Sequence, residues 1–102
     1  MNPADFIQTD RRLVILRLLA EAAGYALNSS VLRSVLDEEY AHKVSRDVVE
    51  TELAWLEEQG LVRAERLAAQ SKTITIATLT ERGLDVQAGR ATVPGVKRPS
   101  PV

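Results

Sequence analysis

The chain has 102 residues, with 13 Lys and Arg against 14 Asp and Glu for a formal charge of −1, 45% hydrophobic residues and no cysteine. That is room for one domain, which buries roughly 65% of the surface its unfolded chain exposes. Disulfides and thiolate metal sites are excluded, and the apolar run Leu13 to Leu16, broken by Arg17, is far too short to span a bilayer. The start, Met1-Asn-Pro-Ala-Asp5, lacks the basic opening of a signal peptide, and the expectation is a soluble cytoplasmic protein. Charge is unevenly spread. Residues 1–60 hold six Lys/Arg against eleven Asp/Glu, a balance of −5, and residues 61–102 hold seven against three, a balance of +4. Either the C-terminal part faces an anion or acidic partner, or the surface is simply solvated.

Asn2-Pro3 is a helix start, because Asn caps and Pro fits the first helical position. Thr9-Asp10 offers a second cap, so the first helix runs either from 3 to about 23 or from 10. Leu13, Ile15, Leu16, Leu18, Leu19 and Ala22 give it a broad apolar stripe, with Arg11, Arg12, Arg17 and Glu21 outside and Gly24 closing it. Tyr25 to Leu27 is a short extended link. Asn28, Ser29 or Ser30 caps a second helix to about Tyr40, burying Val31, Leu32, Val35 and Leu36. His42 to Val44 is a turn. Ser45 caps a third helix, Arg46 to Gln59, with Val48, Val49, Leu53, Trp55 and Leu56 apolar and Gly60 as its stop.

At Gly60 the period changes. Residues 61–66 and 73–78 each alternate with period two, and the second is rich in β-branched residues, which predicts a hairpin with residues 67–72 as its loop. Thr80 caps a last helix, Glu81 to about Ala88, stopped by Gly89. Residues 90–102 hold all but one of the four prolines and show no period, which predicts a flexible basic tail beyond a domain of residues 1–89.

Helix, link, helix, turn, helix, hairpin, helix is the order of a mainly α winged helix-turn-helix. The passage Trp55-Leu-Glu-Glu-Gln-Gly60-Leu-Val62 resembles the end of the recognition helix leading into the wing in bacterial winged-helix regulators. Leu79-Thr-Glu-Arg-Gly83-Leu84 is similar to the opening of their closing helix. The resemblance covers about residues 8–89. More narrowly, the chain resembles the small ArsR-like winged-helix proteins of Mu-like phages and prophages, including the ending from Gly89 to Pro99. Regulators of the ArsR kind often use paired cysteines, which this sequence lacks. His42 is the single histidine and reads as a polar turn residue, so no metal and no cofactor is expected.

The resemblance places a recognition helix at the third helix, whose N-terminal part would approach base edges in the major groove. Ser45, Arg46, Glu50 and Thr51 are then candidate readers, Arg46 for guanine and Thr51 for a thymine methyl. Asp47 and Glu50 accept from cytosine but repel phosphate. Phosphate neutralisation, which dominates affinity, falls to Lys43 in the turn, Arg63 and Arg66 on the first wing strand, Lys72 at the wing tip and the tail's Arg90, Lys97 and Arg98, with Gln70 and Ser71 as further hydrogen-bonding groups. Trp55 reads as core or wing packing rather than a stacking platform. Apolar residues on more than one face of the first helix imply either deep burial or a homodimer through the first and last helices. The leading expectation is a DNA-binding phage regulator. The alternative is a protein-interaction module with a phage partner, supported by five acids against one Arg over residues 45–59. An enzyme is disfavoured: there is no Cys nucleophile, no glycine-rich phosphate loop and no second His.

Overall fold

The computed structural model describes residues 2–69 and 72–100. Helix α1, Pro3–Glu21, starts as the first cap predicts: the Asn2 side chain accepts from the Asp5 N–H at 2.9 Å. The later start is not used, and Thr9 donates its hydroxyl to the Phe6 carbonyl instead. Four successive residues of α1, Leu13 to Leu16, are buried, and Leu19 joins them. At 100° per residue four neighbours cover every side of a helix, so this stretch of α1 is central, with α2, α4 and β3 packed against the helix and α3 joined to it through the Arg11, Arg12 and Glu52 side chains. The apolar residues that raised a dimer through the first and last helices are therefore covered within one chain; Leu18 is half-buried.

The chain reverses through Gly24 and Tyr25, both with positive φ, into β1, Ala26–Asn28. This segment, expected as a link, is a third strand. It pairs antiparallel with β3, Lys72–Leu79, and β3 pairs with β2, Val62–Ala69, giving the order β1-β3-β2. The expected loop over 67–72 is also corrected. Leu67 pairs with Ile74 and Ala68 with Thr73, because Leu-Ala-Ala has none of the Gly, Pro or Asn chemistry that ends a strand. The remaining loop residues, Gln70 and Ser71, lie outside the described residues.

Helix α2, Ser29–Tyr40, is capped by Asn28, which accepts from the Val31 N–H at 2.8 Å. Leu32 and Leu36 are buried, whereas Val31 is exposed and Val35 half-buried, so its apolar stripe is narrower than expected. Helix α3, Arg46–Glu58, is capped by Ser45 through the Val48 N–H and buries Val49, Leu53 and Leu56. Helix α4, Glu81–Ala88, is tied down by Thr80, whose hydroxyl accepts from the Gly83 N–H and donates to the Gly60 carbonyl at 2.7 Å. A Cβ on Gly83 would lie 2.2 Å from the Leu61 carbonyl oxygen, so only glycine allows this approach. The result is a winged helix-turn-helix with β2 and β3 as the wing.

The expectation of a free tail meets a different arrangement over its described part. Val93 and Val96 are buried, and the Lys97 N–H donates to the Thr9 carbonyl at 3.1 Å. Gly95, at φ 99°, lies against the Trp55 ring, where a Cβ would come within 2.8 Å. Two valines and a tight turn are enough to seat the segment on α1 and α3.

Candidate nucleic-acid interface

Helix α3 has three faces beyond its buried stripe, and they behave differently. One holds Arg46, Glu50 and Glu57 and looks at the wing. Arg46 donates from Nη2 to the Thr73 carbonyl, Thr75 donates its hydroxyl to Glu50, and Arg66 reaches Glu57 at 3.3 Å. Arg46 and Glu50, expected as base readers, are thus engaged with β3 rather than presented outward. The reason is register: on the inner face of the hairpin Arg66 stands opposite Thr75 and Ala68 opposite Thr73, and these positions meet the helix at spacings of four and seven residues.

The second face points to solvent and carries Asp47, Thr51 and Glu58, all exposed, with Ala54 between them. It has two acids and no cation. The Thr51 hydroxyl donates to the Asp47 carbonyl, and the residue as a whole is exposed. Ser45 is exposed, its Oγ engaged in the cap, and Lys43 is exposed in the turn before it. On the outer face of the wing Arg63 and Lys72 are exposed. The Arg46 bond to Thr73 brings the N-terminus of α3 to the distal wing, so Lys43, Ser45 and Lys72 share one end of the molecule. Arg63 is opposite Thr78, six residues from Lys72 along β3, or about 20 Å away. Arg66 is tied to Glu57 in a half-exposed ion pair.

The third face meets α1 and the tail, and it holds charges that no sequence motif marks. Glu52 is 1% exposed and bonds Arg11 Nη1 at 2.9 Å and Arg12 Nε at 3.0 Å. Arg12 also donates to the Gly95 carbonyl at 3.1 Å and lies 3.8 Å from the centre of the Trp55 ring. Trp55 therefore packs on α1 and the tail, not on the wing. His42, expected as a polar turn residue, is buried and bonds Asp10 at 2.8 Å, and Lys97 reaches the other oxygen of the same carboxylate at 3.3 Å. Burial alone raises the Asp10 pKa, but the hydrogen bonds and charges of His42 and Lys97 outweigh it and leave the carboxyl below its ordinary value. One signal for Glu52 is present in the sequence: it falls in line with Val49, Leu53 and Leu56, on the apolar stripe.

No helix among the described residues is long and apolar enough to cross a membrane. No family model matches the sequence. The uncharacterized protein gp26 of Escherichia phage Mu is 50% identical over 97 residues, 95% of this chain and 95% of that one. An uncharacterized protein of Haemophilus influenzae Rd is 46% identical over 84 residues, 82% of this chain and 78% of that one. Among solved structures, hsRosR-S1 superposes with a TM-score of 0.56 at 27% identity over 72% of this chain, which spans only 61% of the hsRosR-S1 chain. A PadR family transcriptional regulator from Eggerthella lenta gives 0.56 at 22% identity, over 76% of this chain and 69% of its own, a likeness of fold. The ArsR-like part of the resemblance is carried by the sequence motifs alone. On its identity and coverage, the chain belongs to the family of phage Mu gp26.

Proposed function

We propose that the protein binds double-stranded DNA as a phage transcriptional regulator, with the turn before α3 and the distal wing as its contact surface. The observation that carries this reading is the placement of exposed Lys43 and Lys72 at the one end where the N-terminus of α3 meets the wing. Lysines there neutralise phosphates, which supplies most of the affinity in DNA binding, while Ser45 and Thr51 are left to meet base edges. Arg63 adds a contact only to a duplex that follows the wing to its root. Arg66, already paired with Glu57, contributes least. A second copy of the chain would double these few contacts. The test is anisotropy of a labelled duplex at about 50 and 200 mM salt: binding falls with a slope of about −0.9 per phosphate contact. Absence of binding at low salt, even to long duplexes, removes the reading.

A second reading is a protein-interaction module on the same scaffold. It is favoured by the outward stripe of α3, where Asp47 and Glu58 are exposed and make no ion pair among the described residues, since such a face repels phosphate and suits a basic partner. Capture from phage-producing cells with and without nuclease separates the two, because a protein partner survives digestion of the DNA.

A further inference from the structure

We infer that Glu50, assisted by Arg46, is a positioning residue that fixes the distal wing against the third helix, so that Lys72 meets the DNA backbone in step with Lys43. The inference deepens the DNA-binding reading and rests on it. The first observation is where the sheet stops. β1 pairs with β3 only at Ile76, Ala77 and Thr78, so Lys72 to Thr75 have no third strand beside them. An isolated two-stranded hairpin is marginal in water, and the distal wing has little apolar cover, with Leu67 and Ala68 exposed. What holds it is polar. Arg46 takes the Thr73 carbonyl, Glu50 takes the Thr75 hydroxyl, and the Thr75 N–H donates at 3.1 Å to Ser29 Oγ at the start of α2. Thr75 and Ser29 are both fully buried, so one residue of the wing is pinned by both helices of the helix-turn-helix.

The second observation is that this contact is held at a local cost. Three buried side-chain polar atoms lack a partner among the described residues, and two of them, Arg46 Nε and Glu50 Oε2, sit in this brace. An unpaired buried polar atom is unfavourable, and a wing that swung outward would let both hydrate. A defined wing angle is what such a brace supplies to binding, because a cation on a swinging hairpin loses conformational entropy on binding that a braced one has already lost.

The test is a coupling measurement on the full chain. In the otherwise unaltered protein Lys72→Ala weakens duplex binding several-fold. In Glu50→Ala or Thr75→Val backgrounds the same change costs less than about 1.5-fold, because the unbraced wing no longer delivers the lysine. Backbone order parameters at Arg66 to Ala68 and Lys72 to Thr75 fall from about 0.85 to below about 0.6 in the unliganded variants. Glu50→Gln, which keeps an acceptor for Thr75, restores both. Thr75→Val removes the hydroxyl with little change of shape, so it decides the matter if Glu50→Ala does not fold. An equal cost of Lys72→Ala in all backgrounds, or order parameters unmoved by either variant, overturns the inference. If the unaltered protein binds no duplex, the DNA reading falls and the order parameters alone decide the brace.

Discussion

The two flanks of the third helix use the same kinds of residue to opposite ends. Toward α1 and the tail, Glu52 is satisfied by two arginines, Arg12 is capped by the Gly95 carbonyl and the Trp55 ring, and Asp10 holds His42 and Lys97. Toward the wing, Arg46 and Glu50 each make one bond and leave one buried atom unpaired. Charges on the first flank pair with one another, with Arg11 Nε alone left without a partner among the described residues, and serve the fold. Those on the second hold a protruding hairpin that carries Arg63 and Lys72 exposed on its outer face. Counting charges in a segment says little about function until it is known which flank each one serves.

The contrast is broken most directly at Glu52. Glu52→Ala strands two arginines in the interior and costs about 3–5 kcal/mol, read as a loss of urea stability. Glu50→Ala costs less, about 1–3 kcal/mol, since it leaves only the neutral, buried Thr75 hydroxyl without its partner. Equal losses would erase the distinction. Next comes Gly95→Ala, which forces a Cβ into Trp55 at a φ that disfavours side chains. A cost of about 1–3 kcal/mol is expected, with faster amide exchange over residues 91–97 and a change in Trp55 fluorescence. An unaffected tail would mean that its seat on Trp55 is loose.

Acid provides a gentler probe of the same flank. The Asp10 carboxyl lies below its ordinary value in the folded chain, burial being outweighed by His42 and Lys97. A carboxyl depressed on folding contributes its stability above the unfolded value and loses it as pH falls through the folded one. Melting temperature therefore drops between about pH 4 and the lower folded value, and Asp10→Asn flattens that drop. A variant with the same acid sensitivity would place the loss elsewhere. The smallest effect is expected for Arg63→Ala, which changes short-duplex binding less than Lys72→Ala does, because it sits at the wing root. The reverse order would put the DNA along the length of the wing.

Much of the fold was legible because local chemistry agreed with it. Asn2, Asn28, Ser45 and Thr80 each cap a helix where a polar residue precedes an apolar period, and the alternation after Gly60 marked the hairpin. β1 escaped because three residues are too few to show a period. The tail escaped because Val93 and Val96 stand among Pro and Gly with no repeat, and their burial depends on a groove made elsewhere. At the candidate site the residue types were readable but their directions were not. Arg46 and Glu50 look outward on a helical wheel that lacks the wing, and only the register of β2 with β3 shows that Thr73 and Thr75 face them. Arg12 and Glu52 stay hidden for the complementary reason. A charge in an apolar stripe looks like an edge of the stripe until its partner, 40 residues away, is in place.

The central claim, that duplex DNA meets the turn and the distal wing rather than the closed flank, is tested most directly by an amide-shift titration with a generic duplex at low and moderate salt. The account predicts salt-sensitive shifts at Lys43, Ser45, Thr51, Lys72 and Thr73, with Phe6 to Arg12 and Val93 to Lys97 unmoved. Shifts confined to α1 and the tail, or no shifts at low salt, would contradict it.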